Sequence, residues 1–117
     1  MEKVIIPGEF PALNKIINKS KQHWAAYSQM KKEYTNKAAY IMNRLPKFNN
    51  KIDLTFYWYC KNRRKDKDNI IAGQKFIIDG LVKAGKIKND GWKEIGDLIH
   101  KFEVDKKNPR VEISIKQ

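Results

Sequence analysis

Apolar residues alternate with more polar ones from Ile52 to Cys60: Ile52, Leu54, Phe56, Trp58 and Cys60 fall on one side, Asp53, Thr55, Tyr57 and Tyr59 on the other. A period of two, in a run rich in aromatic and β-branched residues, predicts a strand. A helical period precedes it. Trp24, Tyr27, Tyr34, Ala38, Ile41 and Leu45 recur at intervals that predict one long amphipathic helix, ending before Pro46 and carrying Lys31, Lys32 and Lys37 on its other face. Asn69 to Ala84 reads as a second helix, with Ile70, Ile77 and Leu81 in one stripe and Ile71, Ile78 and Val82 in the adjoining one; Asp68 stands at the N-cap and Gly85 at the stop. Weaker signals predict a strand over Lys3 to Ile6 ended by Pro7-Gly8, a short helix from Pro11 through Ile17, and a turn at Asn89-Asp90-Gly91. Further strands are expected around Asp97 to Val104 and Arg110 to Ile115, joined by the turn-like Lys106 to Pro109. Strands and helices mix without regular βαβ alternation, so the expected class is α+β: one small domain over residues 1–117, a mixed or antiparallel sheet packed with two main helices.

Charge changes the picture from fold to partner. The chain of 117 residues carries 25 Lys and Arg against 13 Asp and Glu, a formal charge of +12, while 41% hydrophobic residues argue against disorder. Such an excess on a small domain points to a polyanion, nucleic acid first. An anionic membrane is the second candidate, but no apolar run approaches the roughly 18 residues of a spanning helix. Without a signal-peptide stretch, and with Cys60 as the single cysteine, no disulfide framework or Cys-based zinc cage is expected, and a reducing, cytoplasmic setting fits.

Two carboxylates interrupt the most basic segment, Lys61-Asn62-Arg63-Arg64-Lys65-Asp66-Lys67-Asp68-Asn69, after a stretch from Pro11 to Lys65 that holds thirteen Lys or Arg against Glu33 and Asp53 alone. Carboxylates at the centre of a phosphate-binding surface repel what the cations attract, unless a divalent ion intervenes. In an extended approach to a helix, Asp66 and Asp68 point the same way. Lys75, nearly two turns after Asp68, and Asp79, four residues later, share a polar helix face, so Asp66, Asp68 and Lys75 are expected to converge, with Asp79 holding Lys75 and reaching Lys83. A third ligand must come from elsewhere, and Asp90 in the returning turn is the candidate. Each residue also has a plainer explanation. Asp is a favoured helix cap worth about 1 kcal/mol, Lys75 with Asp79 makes an ordinary i,i+4 pair, and Asn89-Asp90-Gly91 is a common turn.

Asp66-Lys67-Asp68-Asn69, the following helix with Lys75 and Asp79-Gly80-Leu81, then Ala84-Gly85 and Asn89-Asp90, resemble the RusA family of Holliday junction resolvases, especially its phage-borne members. Pro7-Gly8-Glu9-Phe10-Pro11 and Met30-Lys31-Lys32-Glu33-Tyr34 are similar to the same branch, so the likeness covers most of the chain. The resemblance implies that Asp66, Asp68 and Asp90 bind Mg²⁺, with Mn²⁺ as the alternative ion, and that Lys75 is needed for cleavage. It also implies a homodimer acting on a four-way DNA junction by paired symmetric nicks in recombination and repair, in the cytoplasm of a bacterial host cell, from a phage-encoded or host gene. Two departures stand out: Asn89 occupies a position where the family often has a second aspartate, and the helix before Lys75 is about one turn longer, which keeps Lys75 on nearly the same face.

On this expectation the metal polarises a phosphodiester and activates water, Lys75 offsets the charge that develops, Asn69, Asp79 and Asn89 support the site, and Lys61, Arg63, Arg64, Lys65 and Lys67 hold the backbone without reading sequence. Tyr57, Tyr59 and Trp92 offer stacking surfaces for unpaired bases, beside a core or interface role. His23 and His100 do not form a metal-spaced pair. Two rivals stand beside junction resolution: a basic nucleic-acid-binding module without catalysis, and a metal-dependent nuclease acting on flaps or forks.

Overall fold

The computed structural model describes all residues, 1–117, and its elements follow the order β1 (Glu2–Pro7), α1 (Leu13–Gln22), α2 (Trp24–Met42), β2 (Ile52–Cys60), α3 (Lys67–Ile71), α4 (Gln74–Lys83), β3 (Ile95–Val104) and β4 (Arg110–Lys116). The architecture is α+β, a mixed four-stranded sheet in the order β1-β4-β2-β3. β4 runs antiparallel to both β1 and β2, whereas β2 and β3 are parallel. A parallel neighbour requires a crossover, and α3 and α4 supply it. The chain then turns through Asp105 to Pro109 past the end of β2, where Asp105 N donates to Cys60 O at 2.8 Å, and returns as β4 on the far side of β2.

The alternation in β2 does what its period predicts. Ile52, Leu54, Phe56 and Trp58 are buried, while Thr55, Tyr57 and Tyr59 are half-buried on the opposite face. Val4 and Ile6 of β1 and Val111, Ile113 and Ile115 of β4 extend the same buried layer, and Phe76, Ile77 and Leu81 of α4 with Ala38 and Met42 of α2 close it from the helical side. Each such side chain, fully removed from water, contributes about 1.5 to 3 kcal/mol before entropic costs.

Three expectations need correction. The long helix α2 does not bury Trp24, which is 79% exposed; its buried stripe is Met30, Ala38 and Met42, with Tyr34 and Ile41 partly buried against the core, and Leu45 packs from beyond the helix end. An aromatic at the start of a period can lie outside the packed segment when the neighbouring element is too short to cover it, and α4 has 10 residues against 19 in α2. The helix expected over Asn69 to Ala84 is two pieces, interrupted at Ala72-Gly73, because Phe10 and Trp58 press on that point: a Cβ on Gly73 would sit 2.8 Å from the Phe10 Cβ. Its N-cap is Asp66 rather than Asp68, and the Asp66 side chain makes no capping bond.

Where α2 crosses α4, Gly80 faces Ala38 so closely that an added Cβ would lie 2.6 Å from the Ala38 Cβ and 2.9 Å from the Ala39 backbone nitrogen. A backbone atom cannot step aside as a flexible side chain can. Gly80→Ala therefore lowers stability by about 2 kcal/mol despite alanine's better helix propensity, a loss to be read from chemical denaturation at constant m-value.

Candidate nucleic-acid interface

The basic segment Lys61 to Asp66 leaves the carboxyl end of β2, beside the carboxyl end of its parallel partner β3. Carboxyl ends of adjacent parallel strands open a crevice that helices cannot fill, the usual place for ligands in such sheets. The segment is pinned from a distance: the Glu9 carboxylate accepts from Lys61 N at 3.1 Å and stands 3.9 Å from Lys65 Nζ. Asn62 Oδ1 accepts from Arg64 N at 3.0 Å, folding the loop on itself. Glu9 thus consumes one cation and leaves Lys61, Arg63, Arg64 and Lys67 without ion pairs.

Two clefts meet at Asp66. One runs towards β3 and is lined by Cys60, Arg63, Lys65, Lys67, Phe102 and Val104. The other runs under α1, between Lys15 and Lys19 on one wall and Lys61, Arg64 and Asn69 on the other. Their rims together carry Lys15, Lys19, Lys61, Arg63, Arg64, Lys65 and Lys67. The α1 lysines, spaced i,i+4 on one helix face, are a contribution that the sequence reading did not assign; their spacing was the available signal. Lys67 Nζ lies 5.3 Å from the centre of the Phe102 ring, which turns this cation towards β3. Burial pushes the Cys60 thiol up from its ordinary value, which keeps it protonated at neutral pH.

The expected site residues fall into two groups. Asp66 and Asp68 sit at the start of α3, where Asp68 Oδ1 accepts from Asn69 N at 3.0 Å. Lys75, Asp79, Asn89 and Asp90 line a different cleft with Lys31, Thr35 and Lys83, and it shares no residue with the two that meet at Asp66. There Lys75 Nζ pairs with Asp79 at 3.8 Å, as its spacing predicts, while Lys83 donates to Asn36 rather than to Asp79. Lys75 accordingly joins Asp90 and not Asp66 and Asp68. No three acidic, histidine or cysteine side chains of the chain lie together as a ready-made metal cage. The carboxylates of Asp66, Asp68 and Asp90 are nonetheless without an ion-pair partner in a chain of 25 cations.

The two histidines have structural tasks. His23 Nδ1 accepts from Ala25 N at 3.2 Å and caps α2. His100 of β3 stacks on Phe56 at 4.9 Å and accepts a hydrogen bond from Trp58 Nε1 at 2.9 Å through its Nδ1. That bond requires an unprotonated Nδ1, and burial holds the imidazole below its ordinary value.

On the open side of the sheet, Arg110 lies 3.8 Å from the centre of the Tyr59 ring and reaches Glu112 at 2.7 Å and Asp105 at 2.8 Å. Lys3 meets the second Glu112 oxygen at 2.7 Å, and this bond and the Arg110 bond hold the buried Glu112 carboxyl below the usual range. Tyr57 is faced by Lys101 at 5.7 Å. Both tyrosines are thus already covered by cations, which argues for a packing role over base stacking. Trp92, by contrast, is 94% exposed.

No family model matches the chain, and no curated protein matches it significantly. No helix is long and apolar enough to cross a membrane.

Because folded His100 resists protonation while the unfolded chain takes its proton near the ordinary value of 6.5, stability is full above that pH and falls as pH drops below it. In melting curves recorded from pH 7.5 down to about 5, the fall in Tm is expected to be shallower for His100→Phe than for the parent chain.

Proposed function

We propose that the protein grips the sugar-phosphate backbone of branched DNA around Asp66 and acts as a metal-dependent endonuclease of the RusA type, resolving four-way junctions. The observation that carries this reading is the meeting of two cation-rimmed clefts at an unpaired carboxylate. Seven cations along the two clefts that Asp66 also lines favour a phosphate strand on electrostatic grounds, and clefts that run in two directions suit a strand that bends or branches. Lys15, Lys19, Lys61 and Arg64 would hold one arm, Arg63 and Lys67 the other, with Glu9 keeping the loop in place between them. The motif from Asp66 to Asp90 supports the nuclease part of the reading. For Asp66, Asp68 and Asp90 to share a divalent ion, Mg²⁺ or Mn²⁺, their side chains must turn to a common point when DNA or the ion is bound. The cation-lined clefts, which need no metal to hold a phosphate strand, favour a second reading, a basic DNA-binding module without catalysis.

The binding half of the proposal makes a quantitative prediction. If five of the seven cations neutralise phosphates, log K falls with log salt at a slope of about −4.5, so raising salt from about 50 to about 200 mM weakens binding about 500-fold, measured by fluorescence anisotropy. Asp66→Asn, in EDTA, binds a junction more tightly because a repelling charge is gone. The catalytic half is tested by incubating labelled four-way junction, flap, fork and linear duplex with Mg²⁺ or EDTA, using the parent chain, Asp68→Asn and Asp90→Asn. Paired nicks confined to the junction, the parent chain and Mg²⁺ are the expected result. Cleavage of flaps or forks alone would move the substrate class, and binding without any scission would leave the module reading.

A further inference from the structure

The Asp66 clefts open at the carboxyl ends of β2 and β3, and a second basic surface stands at the amino ends of the same strands, where the loops 46–51 and 86–94 come together. Phe48 N donates to Lys86 O at 2.8 Å and Ile52 N to Glu94 O at 2.9 Å, which ties one loop to the other. Each loop is also anchored from within, because Phe48 and Ile87 are buried in the core. Lysines flank both anchors. Lys47 precedes Phe48, Lys86 and Lys88 bracket Ile87, and Lys51 and Lys93 stand near the loop ends. None of the five has an ion-pair partner, and the only acids in these loops are Asp90 and Glu94.

Trp92 sits among them, 94% exposed, with no ring stacked on it and no cation over it. Its backbone is nevertheless held. Gly91 O accepts from Glu94 N at 3.2 Å and from Ile95 N at 3.0 Å, a single helical turn that leads directly into β3. An indole presented from a fixed backbone gives up little chain entropy when something covers it. One exposed apolar side chain is ordinary on a protein surface; this one is set apart by five unpaired lysines on its own loop and on the loop tied to it. Cations alone would suit any polyanion, a duplex included. The indole adds a preference, since it can cover the face of a base, and that face is open only where the base is unpaired.

We infer that the amino ends of β2 and β3 form a second nucleic-acid surface, which takes an unpaired DNA strand with a base stacked on Trp92 and its phosphates held by Lys88, Lys93 and the lysines of the neighbouring loop. Along β2, from Ile52 to Cys60, this end lies about 26 Å from the Asp66 end at the usual rise. One chain can therefore hold two strands at once. The inference does not depend on whether the clefts at Asp66 cut DNA.

Tryptophan fluorescence in EDTA tests it, in a Trp24→Phe background that leaves Trp92 as the one exposed indole, Trp58 being buried. Folding of every variant is checked by circular dichroism. A short oligothymidylate is expected to quench the Trp92 emission saturably, and a matched duplex much less. Lys88→Gln with Lys93→Gln removes two phosphate contacts, so the strand binds more weakly and the slope of log K against log salt becomes shallower by about 1.4. Lys61→Gln with Arg64→Gln, at the other end of the sheet, leaves the quenching unchanged even where junction binding is lost, so the two surfaces fail separately. Absence of quenching, equal quenching by duplex, a salt slope unaltered in the Lys88 and Lys93 variant, or quenching lost in the Lys61 and Arg64 variant would each overturn the inference.

Discussion

Burial of one face of β2 between the helices and the sheet plane is the constraint on which everything else rests. Phe56 and Leu54 are completely buried, and β2 is hydrogen-bonded on both sides, to β4 and to β3. A strand so held cannot slip by one residue without turning Phe56 and Trp58 to water and Tyr57 and Tyr59 to the core, a loss of several kcal/mol. Its carboxyl end is therefore fixed. The basic loop that follows inherits that position, beside β3 and under α1, and so does the carboxylate of Asp66.

The distribution of charge follows from the same division of faces. One side of the sheet is covered by helices that carry +6 of the net charge of +12, and α1 with the loop after β2 holds most of what surrounds Asp66. The other side has no covering layer and balances its charges locally, with Arg110 between Asp105 and Glu112 and Lys3 on the remaining oxygen. The Glu112 carboxylate at the centre of these pairs is buried, so removing a cationic partner would leave its charge uncompensated. The consequence of these ion pairs is a nearly neutral face on a strongly basic protein, which separates the surface suited to a polyanion from surfaces suited to another protein.

Tight crossings set the remaining geometry. Gly80 lets α4 approach Ala38 of α2, and Gly73 lets Phe10 and Trp58 press into the break between α3 and α4. Phe10 stacks on Phe76 at 6.3 Å and meets Tyr34 at 5.7 Å, so the residue that follows Glu9 is anchored in the core while Glu9 reaches the basic loop. Stability and site are linked at that point, because the same short segment serves both.

Local pattern carried far. The alternation from Ile52 to Cys60, the stops at Pro7-Gly8 and Gly85, and the aliphatic stripes after Asn69 mark where strands and helices fall, because each reports a face that must be hidden from water. The α+β class, the cationic loop and the Lys75 with Asp79 pair were legible for the same reason. What the chain alone did not determine were choices between distant partners: that β3 pairs parallel with β2 while β4 crosses to the other side, that Trp24 stays in water, that Glu9 rather than a neighbour holds Lys65, and that Asp90 lines a cleft with Lys75 apart from Asp66. Periodicity records which side of an element is apolar, and spacing records which residues share a face. Neither encodes which other element covers it, since that is decided by packing volume and by close contacts such as those at Gly73 and Gly80, which exist only once the whole chain is folded.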